Sequence, residues 1–262
     1  MPFPPAVRRL RAIGTTVQSA SQRMVSSGST FSTALLDAAL ASGGPFAAVG
    51  CVVDAGCGPS PHRSLMPAAR YVGVDRTPRP PSGVLGVIGD VTALPLAAGV
   101  ADGVICTEVI EHVADERELG RELARVARPG AVLLLSSPFV HGLHEQPYDF
   151  RRLTSIGLTA VLAESGWVVE QTIAVGGPLA VTLDTAVRSG DATLRRVVGR
   201  LLGRSGRTFR TVASLSTLVQ EVLAALVLAG PSGRFRPIDP AQPMPRLTLG
   251  YVVVARRDVS HR

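Results

Sequence analysis

The fold is indicated most clearly by one short segment, Val52-Val53-Asp54-Ala55-Gly56-Cys57-Gly58. A short apolar run ends in an acidic residue and passes directly into a turn with two glycines. Glycine lets the backbone adopt unusual dihedral angles and lets a ligand approach closely. In open parallel sheets, ligands bind at the carboxyl ends of the strands. The segment therefore predicts a buried strand followed by a nucleotide-binding turn.

A second acidic residue supports this interpretation. Tyr71-Val72-Gly73-Val74-Asp75 is another apolar run that ends in aspartate, 21 residues after Asp54, which is the spacing at which an acidic side chain meets ribose hydroxyls. A dehydrogenase would share both features, but the third glycine of its fingerprint would fall near Pro61. Ser60-Pro61 is instead typical of a helix N-cap followed by an N1 proline. We therefore expect a nucleoside ligand without a diphosphate.

Apolar runs alternate with helical segments along the rest of the chain. Continuous apolar strands separated by helices indicate a parallel sheet buried on both faces. The predicted fold is α/β, with a Rossmann-like, mostly parallel seven-stranded sheet and helices on both faces. The predicted strands are Val49–Asp54, Tyr71–Asp75, Val84–Ile88, Gly103–Thr107, Ala131–Ser136, Trp167–Gln171 and Leu247–Ala255.

Two helices are predicted within this pattern, one from Ala114 or Asp115 to Pro129-Gly130 and one from Thr154 to Gly166. Proline and glycine end helices, and threonine is a favourable N-cap. We divide the chain into a helical extension, a nucleotide-binding core, a helical insertion, and a last strand with its tail. Their predicted bounds are 1–48, 49–175, 176–245 and 246–262.

The composition limits the function classes. The formal net charge is +7, and every basic side chain is arginine, which favours anionic partners or a solvated arginine-rich surface. Aromatic residues make up only 4%, which argues against a nucleic-acid partner that needs base stacking. The three cysteines lack metal-ligand spacing, so we predict no disulfide and no metal site.

The expected location follows from the same features. Three cysteines without a disulfide pattern fit a reducing cytoplasm. The first residues, Met-Pro-Phe-Pro-Pro-Ala-Val-Arg-Arg, contain no apolar core of a signal peptide. We predict a cytoplasmic protein, with a peripheral position at the inner membrane face as the alternative.

Several segments, in this order, give the chain a family resemblance. It resembles the class I S-adenosylmethionine-dependent methyltransferases, in particular the broad group that acts on small molecules and glycans. The matching segments cover about residues 50 to 170. They are Val-Val-Asp-Ala-Gly-Cys-Gly (52–58), Val-Gly-Val-Asp (72–75), Gly-Asp-Val (89–91) with Leu-Pro (94–95), Asp-Gly-Val-Ile-Cys-Thr-Glu-Val-Ile-Glu-His-Val (102–113) and Arg-Pro-Gly (128–130).

The resemblance implies a cofactor site for S-adenosyl-L-methionine. It implies that Asp54 and the turn Gly56-Cys57-Gly58 lie near the methionine part. It places Asp75, with the adjacent Arg76, at the ribose. The adenine would meet Asp90 and Val91, and the floor beneath the sulfonium would be Thr107 and Glu108. A carboxylate near a cationic cofactor is also favourable electrostatically.

The loop after the fifth strand is the predicted acceptor site. Residues 137–154 combine two histidines with acidic, basic and aromatic side chains, and such loops on a rigid sheet are often functional. Related methyltransferases, many connected with cell-surface glycans, have a similar Pro-Tyr-Asp-Phe-Arg-x-x-Thr stretch. Transfer to a hydroxyl needs a base. We predict His141 or His144 as this base, and the predicted acceptor contacts are His112, Glu145, Tyr148, Asp149 and Arg151.

Structural roles for the same residues stay open. Glu145 or Asp149 would orient the catalytic imidazole, or Asp149 and Arg151 would form an ion pair that fixes the loop. Glu111 and His112 would only cap the following helix or satisfy its backbone, or His112 would take part directly in catalysis.

The helical insertion suggests further contacts. Arg196, Arg200 and Arg204 are spaced four apart, opposite an apolar stripe of leucine and valine. A basic amphipathic helix of this kind can lie on an anionic membrane. The alternatives for 193–230 are therefore a lid, a homodimer contact, or peripheral contact with a membrane or a lipid-linked substrate.

The predicted function is O-methylation of a sugar, glycan or other small hydroxylated acceptor, with RNA methylation or a noncatalytic cofactor-binding scaffold as alternatives.

Overall fold

The computed structural model describes residues 50–59, 63, 70–77, 85–202, 211 and 247–260. The predicted helical extension, the Ser60-Pro61 helix start and most of the predicted insertion lie outside these residues. The described part contains seven strands. They are β1 (Cys51–Ala55), β2 (Arg70–Asp75), β3 (Leu85–Ile88), β4 (Ala101–Thr107), β5 (Ala127–Pro138), β6 (Trp167–Val175) and β7 (Gly250–Arg257).

The strands form one sheet in the order β3-β2-β1-β4-β5-β7-β6. The pairs β1–β2, β2–β3, β1–β4 and β4–β5 are parallel, and β7 runs antiparallel to β5. This confirms the predicted mostly parallel, Rossmann-like sheet. The strand order reverses between β1 and β4, which is where open sheets of this kind bind their ligands.

The core explains why these segments become strands. The central strands are apolar because both faces of the sheet are covered. Val53, Val104 and Leu133, on three adjacent strands, are fully buried, and the single tryptophan, Trp167, joins the same core. The unbroken apolar run Val132–Leu135 in β5 is buried throughout.

Three helices are described, namely α1 (Glu116–Val126), α2 (Ser155–Glu164) and α3 (Pro178–Leu202). The Asp115 side chain caps α1 by accepting hydrogen bonds from the N–H groups of Arg117 and Glu118. Thr154 caps α2 through Gly157 N–H, as predicted. A 3₁₀ turn, Ile110–His112, lies between β4 and α1.

The predicted end of α1 needs a correction. The helix ends at Val126, three residues before Pro129. The chain joins β5 already at Ala127, because Ala127 pairs with Ala101 at the start of β4. The left-handed Gly130 (φ 79°) lies within this strand rather than after a helix.

The chain divides into two compact units. The larger holds the sheet with α1 and α2, and the smaller holds α3. Helix α3 has 25 residues and an internal ion pair between Arg188 and Asp184 at 2.6 Å. No helix in the described ranges is long and apolar enough to cross a membrane.

Candidate active site

Hydrogen bonds to the neighbouring strand β2 fix the turn after β1. The N–H groups of Gly56 and Cys57 donate to the carbonyl of Val74 at 2.8 and 3.1 Å. Gly56 has φ +77°, and a Cβ there would lie 2.3 Å from Val109 Cγ2. Gly58 has φ +45° and open space where a side chain would be. The turn therefore presents bare backbone to a ligand at Gly58.

Asp75 at the end of β2 joins this turn to the next loop. Its Oδ2 accepts a hydrogen bond from Gly58 N–H, and its Oδ1 accepts one from Thr77 N–H, both at 2.9 Å. Each carboxylate oxygen has a further acceptor site. Two fixed carboxylate oxygens beside exposed backbone suit the two hydroxyls of a ribose.

Asp54 lies deeper than the turn. Its side chain is buried, and Oδ2 accepts a hydrogen bond from the Tyr71 hydroxyl at 2.7 Å. Burial raises the pKa of Asp54 to about 7, against the effect of that hydrogen bond, and the charge of Asp75 raises it further. Sequence patterning did not predict the Tyr71 contact, because Tyr71 resembles any other apolar strand residue.

An ion pair between Arg76 and Asp90 lies at the predicted adenine side of the site. Arg76 Nη2 lies 2.9 Å from Asp90 Oδ2, and Asp90 Oδ1 also accepts from the N–H of Thr92. Hydrogen bonds from Thr92, and then Arg76, hold the pKa of Asp90 below its usual range. The Arg76 guanidinium also lies 5.8 Å from the ring centre of Tyr148. Arg76 therefore connects the cofactor side to the acceptor loop.

Glu108 follows β4 in a left-handed conformation, with φ 55°. Its N–H donates to Ser136 Oγ at 3.1 Å, and Ser136 Oγ donates back to Glu108 Oε1 at 2.8 Å. Glu108 is exposed and lines an open cavity. Desolvation there raises the pKa of Glu108 to about 6.

Glu111 and His112 lie in the 3₁₀ turn. Glu111 is completely buried, and neither of its carboxylate oxygens has a hydrogen-bond partner among the described residues. Burial, and then the charge of Glu108, raises the pKa of Glu111 to about 9. His112 Nδ1 lies 2.7 Å from the carbonyl oxygen of Tyr148. Neither residue caps α1, since Asp115 does so.

The loop after β5 folds back onto this turn. Phe150 N–H donates to the carbonyl of Glu111 at 2.8 Å. Asp149 pairs with both Nη atoms of Arg152, at 2.6 and 2.9 Å, and these hydrogen bonds lower its pKa. The alternative of an Asp149–Arg151 pair is wrong, because Arg151 pairs with Glu116 in α1.

The two histidines of this loop and His112 of the 3₁₀ turn contact one another in a row. The rings of His141 and His144 have centres 4.7 Å apart, and those of His144 and His112 have centres 4.6 Å apart. His144 Nδ1 lies 3.3 Å from Asp149 Oδ2, an arrangement that can orient the imidazole.

These elements line an open cavity of about 290 Å³, near the lower end of the range for small-molecule sites. The residues predicted for the cofactor that line it are Gly56, Gly58, Asp75, Arg76, Val91 and Glu108, and those predicted for the acceptor are His112, Glu145 and Tyr148. Gly89, Val109 and Val113 also line it; they lie in the segments that carry the family resemblance but were not predicted as site residues. The other predicted site residues, which lie outside this lining, are Asp54, Cys57, Asp90, Thr107, His141, His144, Asp149 and Arg151.

Comparison with known proteins finds methyltransferase matches to this core. A family model described as a methyltransferase domain matches residues 53–135. A probable S-adenosylmethionine-dependent methyltransferase of Mycolicibacterium smegmatis is 32% identical over 139 residues, which are 47% of this chain and 54% of that protein. An uncharacterised methyltransferase of Mycobacteroides abscessus is 37% identical over 99 residues, 32% of this chain and 38% of that protein. The chain thus spans about half or less of these relatives' length.

Solved structures show the same fold. A [4+2]-cyclase, SpnF, has a TM-score of 0.54 at 15% identity, with 86% of this chain and 81% of that chain covered. Phosphoethanolamine N-methyltransferase 2 of Haemonchus contortus, in complex with S-adenosyl-L-methionine, has a TM-score of 0.50 at 13% identity, with 84% and 51% covered. Since a cyclase and a methyltransferase share the fold, the reaction has to be argued from the site.

Proposed function

We propose that this chain is an S-adenosylmethionine-dependent methyltransferase that transfers the methyl group to a hydroxyl of a sugar, glycan or other small acceptor. The methyltransferase family model and the partial match to a probable methyltransferase of this type support the first part. One observation supports the proposal most. A single cavity has the glycine turn and Asp75 on one side and His112, Glu145 and Tyr148 on the other. A methyl donor and a polar acceptor would therefore meet in it.

The residues of the donor side fit the cofactor. Bound S-adenosylmethionine supplies an electrophilic methyl group on a positively charged sulfur. Asp75, already fixed by two backbone N–H groups, would accept hydrogen bonds from the ribose hydroxyls. The open space at Gly58 lets the cofactor approach the backbone. The Glu108 carboxylate, which faces the cavity, would favour the positive charge.

The acceptor side suits a hydroxyl. A hydroxyl must lose its proton as its oxygen attacks, and His141 and His144 are the proposed bases. Asp149, fixed in place by Arg152, would orient His144. Glu145 and Tyr148 line the cavity and offer hydrogen bonds to a polyhydroxylated acceptor.

A methyl-transfer assay tests this proposal. The purified chain, labelled S-adenosylmethionine and a panel of sugars and glycans should give label in the acceptor. Asp75→Ala should abolish most of the transfer, while Glu170→Gln, an exposed carboxylate paired with Arg256, should retain it. Transfer to amines but to no hydroxylated acceptor would contradict the proposed acceptor class.

A second proposal concerns a lipid-linked acceptor, reached by peripheral contact of α3 with an anionic membrane. Leu194, Val197 and Leu201 are exposed on this helix, and so are Arg196 and Arg200. Apolar and arginine side chains together favour the surface of an anionic membrane. The chain should float with anionic vesicles, and Leu201→Glu should reduce flotation. If the unchanged chain is a dimer and does not float with anionic vesicles, the homodimer alternative is favoured.

A further inference from the structure

Three side chains that could bind a metal ion converge beside the cavity. They are Glu111 and His112 in the 3₁₀ turn and His144 in the loop after β5. Each offers one ligand atom, and these atoms all lie within 4.8 Å of one another. Glu111 Oε1 is 3.6 Å from His112 Nε2 and 4.0 Å from His144 Nε2. We call this group the Glu111–His112–His144 cluster.

The Glu111 carboxyl group lacks a hydrogen-bond partner among the described residues. A buried polar group without a hydrogen bond is unfavourable whether or not it is charged, and neither oxygen of Glu111 has a partner in the described part of the chain. Arg152 acts on Glu111 through its charge, but donates no hydrogen bond to it. Both of its Nη atoms bind Asp149, and its buried Nε has no partner among the described residues.

The Nδ1 contacts of His112 and His144 orient both rings so that their Nε2 atoms lie nearest Glu111. His112 Nδ1 lies 2.7 Å from the carbonyl of Tyr148, which can only accept, so Nδ1 carries the proton. His144 Nδ1 likewise faces two acceptors, the carbonyl of Gly142 and Asp149 Oδ2, each at 3.3 Å. In both rings the Nε2 lone pair is then directed into the cluster. Histidines that bind metals are usually oriented in this way by a carbonyl or a carboxylate.

The separations of Glu111 Oε1 from the two ring nitrogens are too long for a direct hydrogen bond. A hydrogen bond from protonated Glu111 to a ring nitrogen would bring the two atoms to about 2.7–3.0 Å. A cation about 2.0–2.2 Å from each ligand would hold the ligand atoms roughly 3.0–3.5 Å apart. The observed separations of 3.6 and 4.0 Å, in a set that spans up to 4.8 Å, exceed both ranges and are closer to the second, so the ligands would move inward by a few tenths of an ångström or more on binding.

We propose that Glu111, His112 and His144 bind a divalent cation at the edge of the cavity. Two imidazoles and one carboxylate suit first-row ions such as Mn²⁺, Co²⁺ and Zn²⁺. Three protein ligands leave coordination positions open. His112 lines the cavity together with Glu108, so an open position can face a ligand there.

The proposed function gives the cation a role, and this second part of the inference rests on it. The open position would take the acceptor hydroxyl and lower its pKa. His141, the histidine next to the cluster, would accept the hydroxyl proton. The oxygen then forms a bond to the methyl carbon while the carbon–sulfur bond breaks, and the bonding electrons stay on sulfur. His144 is therefore a ligand in this scheme, and His141 is the base.

Titration of the chelator-treated chain with Mn²⁺, followed by calorimetry and electron paramagnetic resonance, tests the site. The unchanged chain should bind Mn²⁺ saturably. Glu111→Gln and His144→Ala should each weaken binding by roughly 100-fold or more, beyond the effect of losing an outer-shell partner. His141→Ala is the matched control, because it removes a neighbouring imidazole outside the cluster, and it should keep Mn²⁺ affinity. Binding of S-adenosylhomocysteine shows that each variant is folded.

Two results would overturn the site. One is no saturable binding of Mn²⁺, Co²⁺ or Zn²⁺ to the unchanged chain. The other is that Glu111→Gln and His144→Ala both bind Mn²⁺ with the affinity of the unchanged chain. The role of the cation has its own readout. Chelation should abolish methyl transfer without weakening S-adenosylhomocysteine binding, and Mn²⁺ should restore transfer. Transfer that continues without metal would refute the role. Absence of transfer to every acceptor would contradict the proposed function, while the Mn²⁺ titration would still decide the site.

Discussion

Substitution of Asp54 by asparagine should make the protein more stable at neutral pH. The Asp54 carboxyl is buried beneath the glycine turn, and burial raises its pKa from 3.8 to about 7. The folded chain therefore holds a proton there that the unfolded chain has already released. Asparagine has no charge to bury, and its amide oxygen can still accept the hydrogen bond from Tyr71.

The sign and size of this stability change follow from the linkage between proton binding and folding. Between pH 3.8 and about 7, the folded state binds one more proton at Asp54 than the unfolded state does. The free energy of unfolding therefore falls as pH rises, by about 1.4 kcal/mol per pH unit. Over about three units the upper limit is about 4 kcal/mol. An imperfectly bonded asparagine amide would offset about 1–2 kcal/mol of this gain at every pH.

Urea unfolding of both chains between about pH 4.5 and about pH 7.5 measures the effect. Fluorescence of Trp167, which is single and buried in the core, reports on the larger unit. The difference in unfolding free energy should shift in favour of Asp54→Asn by about 2–4 kcal/mol across this range. A difference that does not change with pH, or that shifts toward the unchanged chain, would refute the reasoning.

Two further predictions concern packing around the site. Gly56→Ala should lower the unfolding free energy by about 2–5 kcal/mol, because φ is +77° and the new Cβ would meet Val109 Cγ2; adding Val109→Ala should recover only the steric part, and full recovery in urea unfolding would contradict the backbone contribution. Arg152→Met should cost about 3 kcal/mol, because it removes two charge-assisted hydrogen bonds from Asp149, whose side chain is 1% exposed and keeps the hydrogen bond from His144 N–H. Adding Asp149→Asn should restore much of that stability, and a double variant no more stable than Arg152→Met would argue against the charge as the cause.

The sequence was informative where one local pattern determines the structure. Val52–Gly58 combines an apolar run, an acidic end and two glycines, and the structure has a strand and a turn there. Thr154 and Asp115 were predictable as helix starts, since capping depends on neighbouring backbone N–H groups. Strand ends were less predictable. β5 begins at Ala127 because of its pairing with β4, and such pairing joins residues far apart in the chain.

The site was less predictable where its contacts are long-range. Glu111 and His112 are adjacent, but His144 comes 32 residues later, and only the folded loop brings the three together. Asp149 binds Arg152 rather than Arg151, because the loop turns Arg151 toward Glu116 in α1. Sequence spacing alone gives no direction for side chains in such a loop.

The most direct test of the site is calorimetric titration of S-adenosylhomocysteine into the unchanged chain and into Asp75→Ala, with Glu170→Gln as a control. Asp75 is placed to accept two charge-assisted hydrogen bonds from the ribose. Their loss should cost about 3 kcal/mol, or roughly 100-fold in affinity. The unchanged chain and Glu170→Gln should bind alike, and Asp75→Ala should bind roughly 100-fold more weakly. Equal affinity in all three chains, or no binding to the folded unchanged chain, would contradict the assignment of this cavity to the cofactor.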